Sequence, residues 1–130
     1  MPVPRRRILC ADDNFTVRKL VASILQKENH TVECADNGEH ALQLIAESKV
    51  PYEILITDHQ MPKLTGLQLV TALKISATQL AIIVLSGNLK SVEIVQYQKL
   101  GVSKVLEKPF VPKNIIDAVT NASILLTKSS

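Results

Sequence analysis

Residues 54–66 read ILITDHQMPKLTG and hold most of the information needed to assign a fold. The apolar run Ile54–Thr57 stops at Asp58, which predicts a short buried strand that brings a carboxylate to the edge of a sheet. The loop after it contains a proline and a glycine, and Thr65 with Gln68 three residues later matches a capping box at the start of a helix. A buried strand that leads through a loop into a helix is one unit of an α/β sheet.

The same alternation of strand and helix patterns occurs along the whole chain. We predict strands at Arg7–Ala11, Thr31–Ala35, Ile54–Thr57, Ala81–Leu85 and Lys104–Glu107. The first helix carries one buried apolar face made of Val17, Leu20, Val21, Ile24 and Leu25. Together the five βα units predict a doubly wound parallel sheet with helices on both faces. Its ligand crevice should lie outside the carboxyl ends of the strands.

Size and composition predict one domain, residues 1–130, with a single core, because 46% of the 130 residues are hydrophobic. No leader with an apolar segment is visible, and the longest apolar run, LAIIVL, is too short to span a bilayer, so we expect a cytoplasmic protein without membrane contact. The net charge of +3 comes partly from Arg5, Arg6 and Arg7, which we interpret as a solvated terminus rather than a patch for an acidic partner. Few aromatic rings and no Trp argue against nucleic-acid binding.

Two cysteines, Cys10 and Cys34, lie inside predicted strands. They show no CxxC spacing, and a buried thiol behaves as a small apolar residue, so we predict that both are structural.

Five chemically distinctive residues follow predicted strands, namely Asp12, Asp13, Asp58, Ser86 and Lys108. The carboxyl ends of parallel strands meet at one edge, so these side chains should converge. Each pair of carboxylates about 4 Å apart costs roughly 4 kcal/mol at an effective dielectric near 20, which a cation would offset. Mg²⁺ suits such oxygen ligands best, whereas calcium lacks an EF-hand pattern and zinc lacks clustered Cys and His.

The same five residues are suited to phosphoryl transfer. Asp58 stands alone after its strand and is the candidate nucleophile, which would hold a phosphoryl group as an acyl phosphate. Lys108 and the Ser86 hydroxyl would contact the phosphoryl oxygens. No glycine-rich GxGxxG or GxxxxGK[ST] sequence follows the first strand, so dinucleotide and P-loop sites lose their main support.

Four segments, ILCADDN, ILITDHQMPKLTG, IIVLSG and LEKPF, resemble in order and spacing the receiver domain of two-component response regulators. Among these domains, Asn14 and the run DHQMP resemble receivers of hybrid histidine kinases. The resemblance implies a flavodoxin-like fold with strand order 2-1-3-4-5, phosphorylation of Asp58, and Mg²⁺ bound by Asp12, Asp13, Asp58 and the backbone carbonyl of Gln60. It also implies that Ser86 is the switch hydroxyl, that Lys108 contacts the phosphoryl group, and that the peptide bond before Pro109 is cis.

The resemblance also implies the partners of the chain. The phosphoryl donor would be a phosphohistidine on a histidine kinase or a histidine phosphotransfer domain. The domain would catalyse only its own phosphorylation and dephosphorylation, so it would not be an enzyme in the usual sense. A homodimer through the face of the fourth helix, fifth strand and fifth helix is a further expectation.

One position departs from the family pattern. Receivers that signal by a change of shape usually carry Tyr or Phe two residues into the last strand, where this chain has Val105. A β-branched Val has no ring to swing and is stiff at χ1. Our hypothesis is therefore a phosphorelay or kinase-linked receiver, and the alternative is a stand-alone response regulator that signals by conformational change.

Other classes fit the sequence less well. A Mg²⁺-dependent phosphatase of the haloacid dehalogenase type would carry a second Asp at position 60, where this chain has Gln60. A pseudo-receiver that only binds partners is disfavoured by the intact set of five strand-end residues. We interpret His59 as a solvated or packed side chain rather than a metal ligand, and Tyr97 as a surface or packing residue.

Overall fold

A computed structural model of the protein describes residues 3–129, so residues 1, 2 and 130 of the predicted domain lie outside it. Five strands and five helices alternate along the chain. The strands are β1 (Arg7–Ala11), β2 (Thr31–Ala35), β3 (Ile54–Asp58), β4 (Ala81–Ser86) and β5 (Lys104–Glu107). The helices are α1 (Phe15–Lys27), α2 (Gly38–Glu47), α3 (Gly66–Ile75), α4 (Ser91–Lys99) and α5 (Pro112–Ser129).

The strands form one parallel sheet in the order β2-β1-β3-β4-β5, as the resemblance implies. β3 lies at the centre, and all five of its residues are buried because helices cover both faces of the sheet. The predicted strand and helix order is therefore confirmed. Two strands are longer than predicted, because β3 continues to Asp58 and β4 continues to Ser86.

The sheet divides the predicted core into two apolar layers. One layer contains Leu55 of β3 with residues of α2 and α3, and the other contains Ile54 and Ile56 of β3 with residues of α1 and α5. Burying each such Ile or Leu side chain contributes about 1.5 to 3 kcal/mol. β3 contributes side chains to both layers, so packing on both faces of the sheet holds its carboxyl end, where Asp58 lies.

Local side-chain caps begin three of the helices. The side chains of Asn14 and Asn37 each accept a backbone N–H in the first turn of α1 and α2. At α3 the predicted capping box is present, since Thr65 and Gln68 exchange side-chain to backbone hydrogen bonds. Gly101, at φ +80°, follows α4 in the left-handed conformation that favours glycine at a helix end.

Two predictions of burial are wrong. Leu20 is 47% exposed, because the stripe of α1 that packs on the sheet is narrower than the apolar pattern. Cys34 is exposed, whereas Cys10 is buried as predicted. The two cysteines are register partners, but β2 is an edge strand with fewer neighbours to cover it than β1 has.

The arginines at positions 6 and 7 are not a solvated terminus, which corrects the interpretation of their charge. Arg6 donates to the carboxylate of Glu53 at 2.6 Å and to the Ser123 hydroxyl of α5 at 2.8 Å. Arg7 pairs with Glu33 at 2.6 Å. Both guanidinium groups are therefore bonded within the fold, because carboxylates in neighbouring segments of the fold lie within their reach. Among residues 3–129, no helix is long and apolar enough to cross a bilayer.

His30 is buried in the turn before β2, where its Nδ1 atom accepts the backbone N–H of Arg6 at 3.0 Å. Burial lowers the pKa of His30 from its ordinary value of 6.5, with a smaller lowering contribution from the charge of Arg6. The folded state therefore binds a proton at this site less readily than the unfolded state does. The neutral His30 imidazole therefore favours the folded state above pH 6.5, and this contribution to the free energy of unfolding is lost as the pH falls.

We predict that His30→Gln, which keeps an acceptor for the Arg6 N–H, makes the free energy of unfolding less dependent on pH between about pH 7.5 and 5.5. Urea denaturation at a series of pH values measures this. Identical pH profiles for His30→Gln and the wild type would contradict the prediction.

Candidate functional site

Four strands deliver the predicted site residues to one edge of the sheet. Asp12 follows β1, Asp58 ends β3, Ser86 ends β4, and Lys108 follows β5. With Asp13 they line a cleft of about 320 Å³. The structure thus brings together all five residues that the sequence singled out. The other residues of the cleft are Asn14, Gln60, Gly87 and Asn88.

Three carboxylates converge in this cleft. Asp12 is 1% exposed and Asp58 is 8% exposed, while Asp13 is open to solvent. One oxygen atom from each of the three lies within 4.8 Å of the others. This donor set consists only of carboxylate oxygens and is open on one side, so it suits a hard divalent cation that keeps part of its water shell.

Lys108 supplies the positive charge that faces the carboxylates. Its Nζ atom lies 3.0 Å from Oδ2 of Asp12 and 3.3 Å from Oδ1 of Asp58. Burial lowers the pKa of Lys108, but the hydrogen bond and charge of Asp12, together with those of Asp58, outweigh it, so the net pKa is raised. Lys108 therefore stays protonated beside the carboxylates of the cleft.

Opposing influences act on the pKa of the Asp58 carboxyl group. Burial is the largest cause that raises its pKa, and the nearby charge of Asp12 adds to it. Lys108 and the backbone N–H of His59, which donates to Oδ1 of Asp58 at 2.8 Å, act in the opposite direction. The net pKa is raised, because one ammonium does not fully offset burial and a second carboxylate.

Backbone hydrogen bonds hold the cleft in shape. The Lys108 N–H donates to the Ser86 carbonyl at 2.9 Å, and the Asn88 N–H donates to the Ser86 hydroxyl oxygen at 3.3 Å. Asp12 is fixed by the Asn14 N–H, which donates to its Oδ1 atom at 2.9 Å. The peptide bond between Lys108 and Pro109 is cis, as the resemblance implies.

Arg18 and His59 also contribute to the site, although the sequence does not predict this role for either residue. Arg18 of α1 donates to the backbone carbonyl of Asp12 at 2.7 Å. The buried imidazole of His59 bonds two residues of α4, the Tyr97 hydroxyl at 2.6 Å and the Glu93 carboxylate at 2.9 Å. The spacing of Glu93 and Tyr97 at i and i+4 was the available signal, because it places both on one face of the helix.

The chain is a doubly wound parallel α/β domain whose carboxyl edge, the usual place for a ligand in this class, gathers three carboxylates, a hydroxyl and an ammonium. The family model described as "Response regulator receiver domain" matches residues 8–120 of this chain. The chain therefore belongs to the response regulator receiver domain family. This result confirms the resemblance that was drawn from the four sequence segments.

Individual relatives agree with the family. The chain is 27% identical over 122 residues to the sensory/regulatory protein RpfC of Xanthomonas campestris, covering 91% of this chain and 16% of that protein. It is 26% identical over 117 residues to the two-component response regulator ORR3 of Oryza sativa, covering 88% of each. A crystal structure of a response regulator receiver domain protein from Clostridium thermocellum superposes with a TM-score of 0.89 at 25% identity, covering 96% and 99% of the two chains.

These comparisons support a receiver domain of two-component signalling that is regulated by phosphorylation. The chain spans about half, or less, of the length of the first curated relatives that it matches. The structural neighbours confirm the flavodoxin-like receiver fold.

We predict that Lys108→Ala raises the pKa of Asp58 further, because Lys108 is the leading group that lowers it. The Asp58 carboxyl ¹³C shift, followed by NMR in metal-free buffer, measures the change. Lys113→Ala removes a lysine that is paired with Asp117 on the exposed side of α5, and it should leave Asp58 unchanged. An unchanged or lower pKa in Lys108→Ala would show that Lys108 does not control this carboxylate.

Proposed function

We propose that this chain is the phosphoacceptor of a two-component or phosphorelay system and that Asp58 receives a phosphoryl group from a phosphohistidine. The observation that carries the proposal is the position of the Lys108 ammonium, within 3.3 Å of both Asp12 and Asp58 in a cleft of three carboxylates. A carboxylate can act as the nucleophile toward phosphorus, and an ammonium beside it attracts the negatively charged phosphoryl group. The histidine kinase or histidine phosphotransfer domain that donates the group is the proposed partner.

In the proposed reaction, an oxygen atom of the Asp58 carboxylate attacks phosphorus and forms an O–P bond. The N–P bond of the donor phosphohistidine breaks, and its electron pair returns to the donor imidazole. Lys108 and the Ser86 hydroxyl then contact the phosphoryl oxygens, the first by charge and the second by donating a hydrogen bond. Because Ser86 and Lys108 extend from the ends of neighbouring strands, they are positioned before the group arrives.

Mg²⁺ is the proposed cofactor, and the residues present fit it. Asp12, Asp13 and Asp58 would supply carboxylate oxygens, and the backbone carbonyl of Gln60 would supply a fourth protein ligand. When bound, the ion neutralises charge on the carboxylates and on the phosphoryl oxygens. The single ammonium of Lys108 faces three carboxylates, so the cleft without a second cation carries excess negative charge.

The cleft gives less support to a hydrolytic phosphatase. Such chemistry needs a general acid near the leaving group, and the amide of Gln60 at the lip of the cleft cannot supply a proton. We therefore propose that the domain catalyses only its own phosphorylation and dephosphorylation. A binding-only pseudo-receiver is disfavoured by the convergence of all five predicted residues in one cleft.

Within the family, we favour a kinase-linked or phosphorelay receiver. Val105 on β5 is half-buried and packs on the apolar layer beneath α4, so no aromatic side chain occupies that position of the strand. The likeness to RpfC, whose name joins sensory and regulatory functions, supports this subtype. The likeness to ORR3 over 88% of its length supports the alternative of a stand-alone response regulator.

The proposal also covers the extent of the domain, its location in the cell and its possible partners. Residues 1–130 would form one receiver domain that works in the cytoplasm and does not bind nucleic acid, since Arg6 and Arg7 already have carboxylate partners within the fold. A homodimer through α4, β5 and α5 stays a prediction. Exposed Val92 and Val95 on α4 are available to such an interface.

We predict that acetyl phosphate and Mg²⁺ add one phosphoryl group to the wild-type chain and none to Asp58→Asn, as measured by intact mass. Chelation of Mg²⁺ should abolish the gain on the wild type, because the carboxylates then repel the incoming phosphoryl group. Asp36→Asn, which changes an exposed aspartate outside the cleft, is the matched control and should be phosphorylated normally. A wild-type chain that gains no phosphoryl group would refute the proposed function.

We predict that the phosphoryl group on Asp58 returns to a histidine on a phosphotransfer domain when the two proteins are mixed. The measurement is transfer of radiolabel from the phosphorylated chain to a panel of such domains, with variants that lack the acceptor histidine as controls. Labelled chain that loses its phosphate only to water, with every domain in the panel, would argue for the stand-alone alternative.

A further inference from the structure

His59 connects the cleft to helix α4 through its side chain. The imidazole is buried between the end of β3 and α4, and its two nitrogen atoms bond residues on successive turns of that helix. Nδ1 lies 2.6 Å from the Tyr97 hydroxyl, and Nε2 lies 2.9 Å from the Glu93 carboxylate. The ring also packs edge-on against Tyr97, with the ring centroids 5.6 Å apart.

The direction of these hydrogen bonds follows from the groups involved. A carboxylate only accepts, so Nε2 of His59 carries a proton and donates it to Glu93. In the neutral imidazole Nδ1 is then an acceptor, and the Tyr97 hydroxyl donates to it. Every member of the His59–Tyr97–Glu93 network is therefore satisfied in one arrangement, and a shift of the imidazole disturbs two bonds at once.

Tyr97 gives helix α4 its buried contact with the core. Tyr97 is the one buried residue among Ser91–Lys99, all of which the structure describes. Its hydroxyl sits against Gly66, where an added Cβ atom would lie only 2.8 Å away. Val92 and Val95 point outward and are 62% and 45% exposed. A helix with one buried anchor responds readily when that anchor moves.

The backbone of His59 is bound to the phosphoacceptor. Its N–H is shared between Oδ1 of Asp58 at 2.8 Å and the Leu85 carbonyl at 3.2 Å, and its carbonyl accepts the Gly66 N–H at 2.8 Å. When Asp58 becomes an acyl phosphate, the carboxylate charge moves to the phosphoryl oxygens. A hydrogen bond to an ionised acceptor is roughly twice as strong as one to a neutral acceptor. The hydrogen bond from the His59 N–H to Oδ1 of Asp58 therefore becomes weaker.

We propose that the His59–Tyr97–Glu93 network couples the Asp58 site to helix α4 and loosens the helix when Asp58 is phosphorylated. The inference rests on the proposed function of Asp58. His59 is a positioning residue in this scheme, because one residue carries both the backbone bond to the acceptor and the side-chain bonds to the helix. The contacts lead from Asp58 at the end of β3 through His59 to α4. They do not require an aromatic side chain at Val105 on β5.

The test is amide hydrogen exchange of residues 91–99, measured by mass spectrometry with and without acetyl phosphate and Mg²⁺. In the wild type we expect phosphorylation to speed exchange in α4 by about threefold or more, because the network that anchors the helix weakens. In Tyr97→Phe, which removes only the hydroxyl, α4 should already exchange faster and should respond little to phosphorylation. Equal responses in Tyr97→Phe and the wild type would overturn the proposal.

Three further variants separate coupling from a general loss of packing. Tyr52→Phe removes the hydroxyl of a buried tyrosine that bonds Glu33, remote from α4, and should respond as the wild type does. Glu93→Gln keeps an acceptor both for Nε2 of His59 and for the Lys90 N–H, which Glu93 also accepts at 2.9 Å at the start of α4, and it should retain the response. Glu93→Ala removes both bonds and should lose the response. If Tyr97→Phe fails to fold, the Glu93 pair decides, and equal responses in the two Glu93 variants overturn the proposal.

Intact mass of the same samples distinguishes a failure of the coupling from a failure of the proposed function. A wild-type chain that is phosphorylated while α4 exchange stays constant overturns the coupling and leaves the proposed function of Asp58 standing. A wild-type chain that gains no phosphoryl group overturns both.

Discussion

The ion pairs of Lys108 with Asp12 and Asp58 are the interaction on which the rest of the site depends. They join the ends of β1, β3 and β5, which are far apart in the sequence, and they hold like charges together in a mostly buried cleft. Removing one member of a buried charge group usually costs several kcal/mol, because the remaining charges stay buried without compensation. The three carboxylates of the cleft exceed the charge of the one ammonium, which favours a further cation and, with it, one anionic group. The contacts that hold the cleft together are therefore the same ones that set its charge.

The sequence predicted the sheet and the cleft well because both depend on signals that are local in the chain. A run such as Ile54–Thr57 that ends at Asp58 specifies a buried strand and its terminal side chain together, and parallel strands bring such ends to one edge. Burial on the periphery was harder to predict. Leu20 and Cys34 look apolar in sequence, but their exposure depends on how wide a contact α1 makes and on which strand lies at the edge.

His59 and Tyr97 show what the sequence could not specify. Each has an unremarkable local context, and only the packing of α4 against the end of β3 brings the imidazole to the hydroxyl. Gly66 is part of the same arrangement, because any side chain there would collide with the Tyr97 hydroxyl and with the backbone of Asp58. Contacts between three elements are not encoded in a pattern of spacing within one of them.

Arg6 has a consequence for the order in which the chain folds. Its guanidinium group bonds Ser123, which is 117 residues further along the chain, and this contact closes α5 onto the start of β1. Contacts between residues so distant in sequence carry a large loop-closure entropy and form slowly. The Arg6–Ser123 contact can form only when nearly the entire chain is in place. We therefore expect the strand pairs of β3 with β1 and β4 to form first, and the contact of Arg6 with α5 to form late.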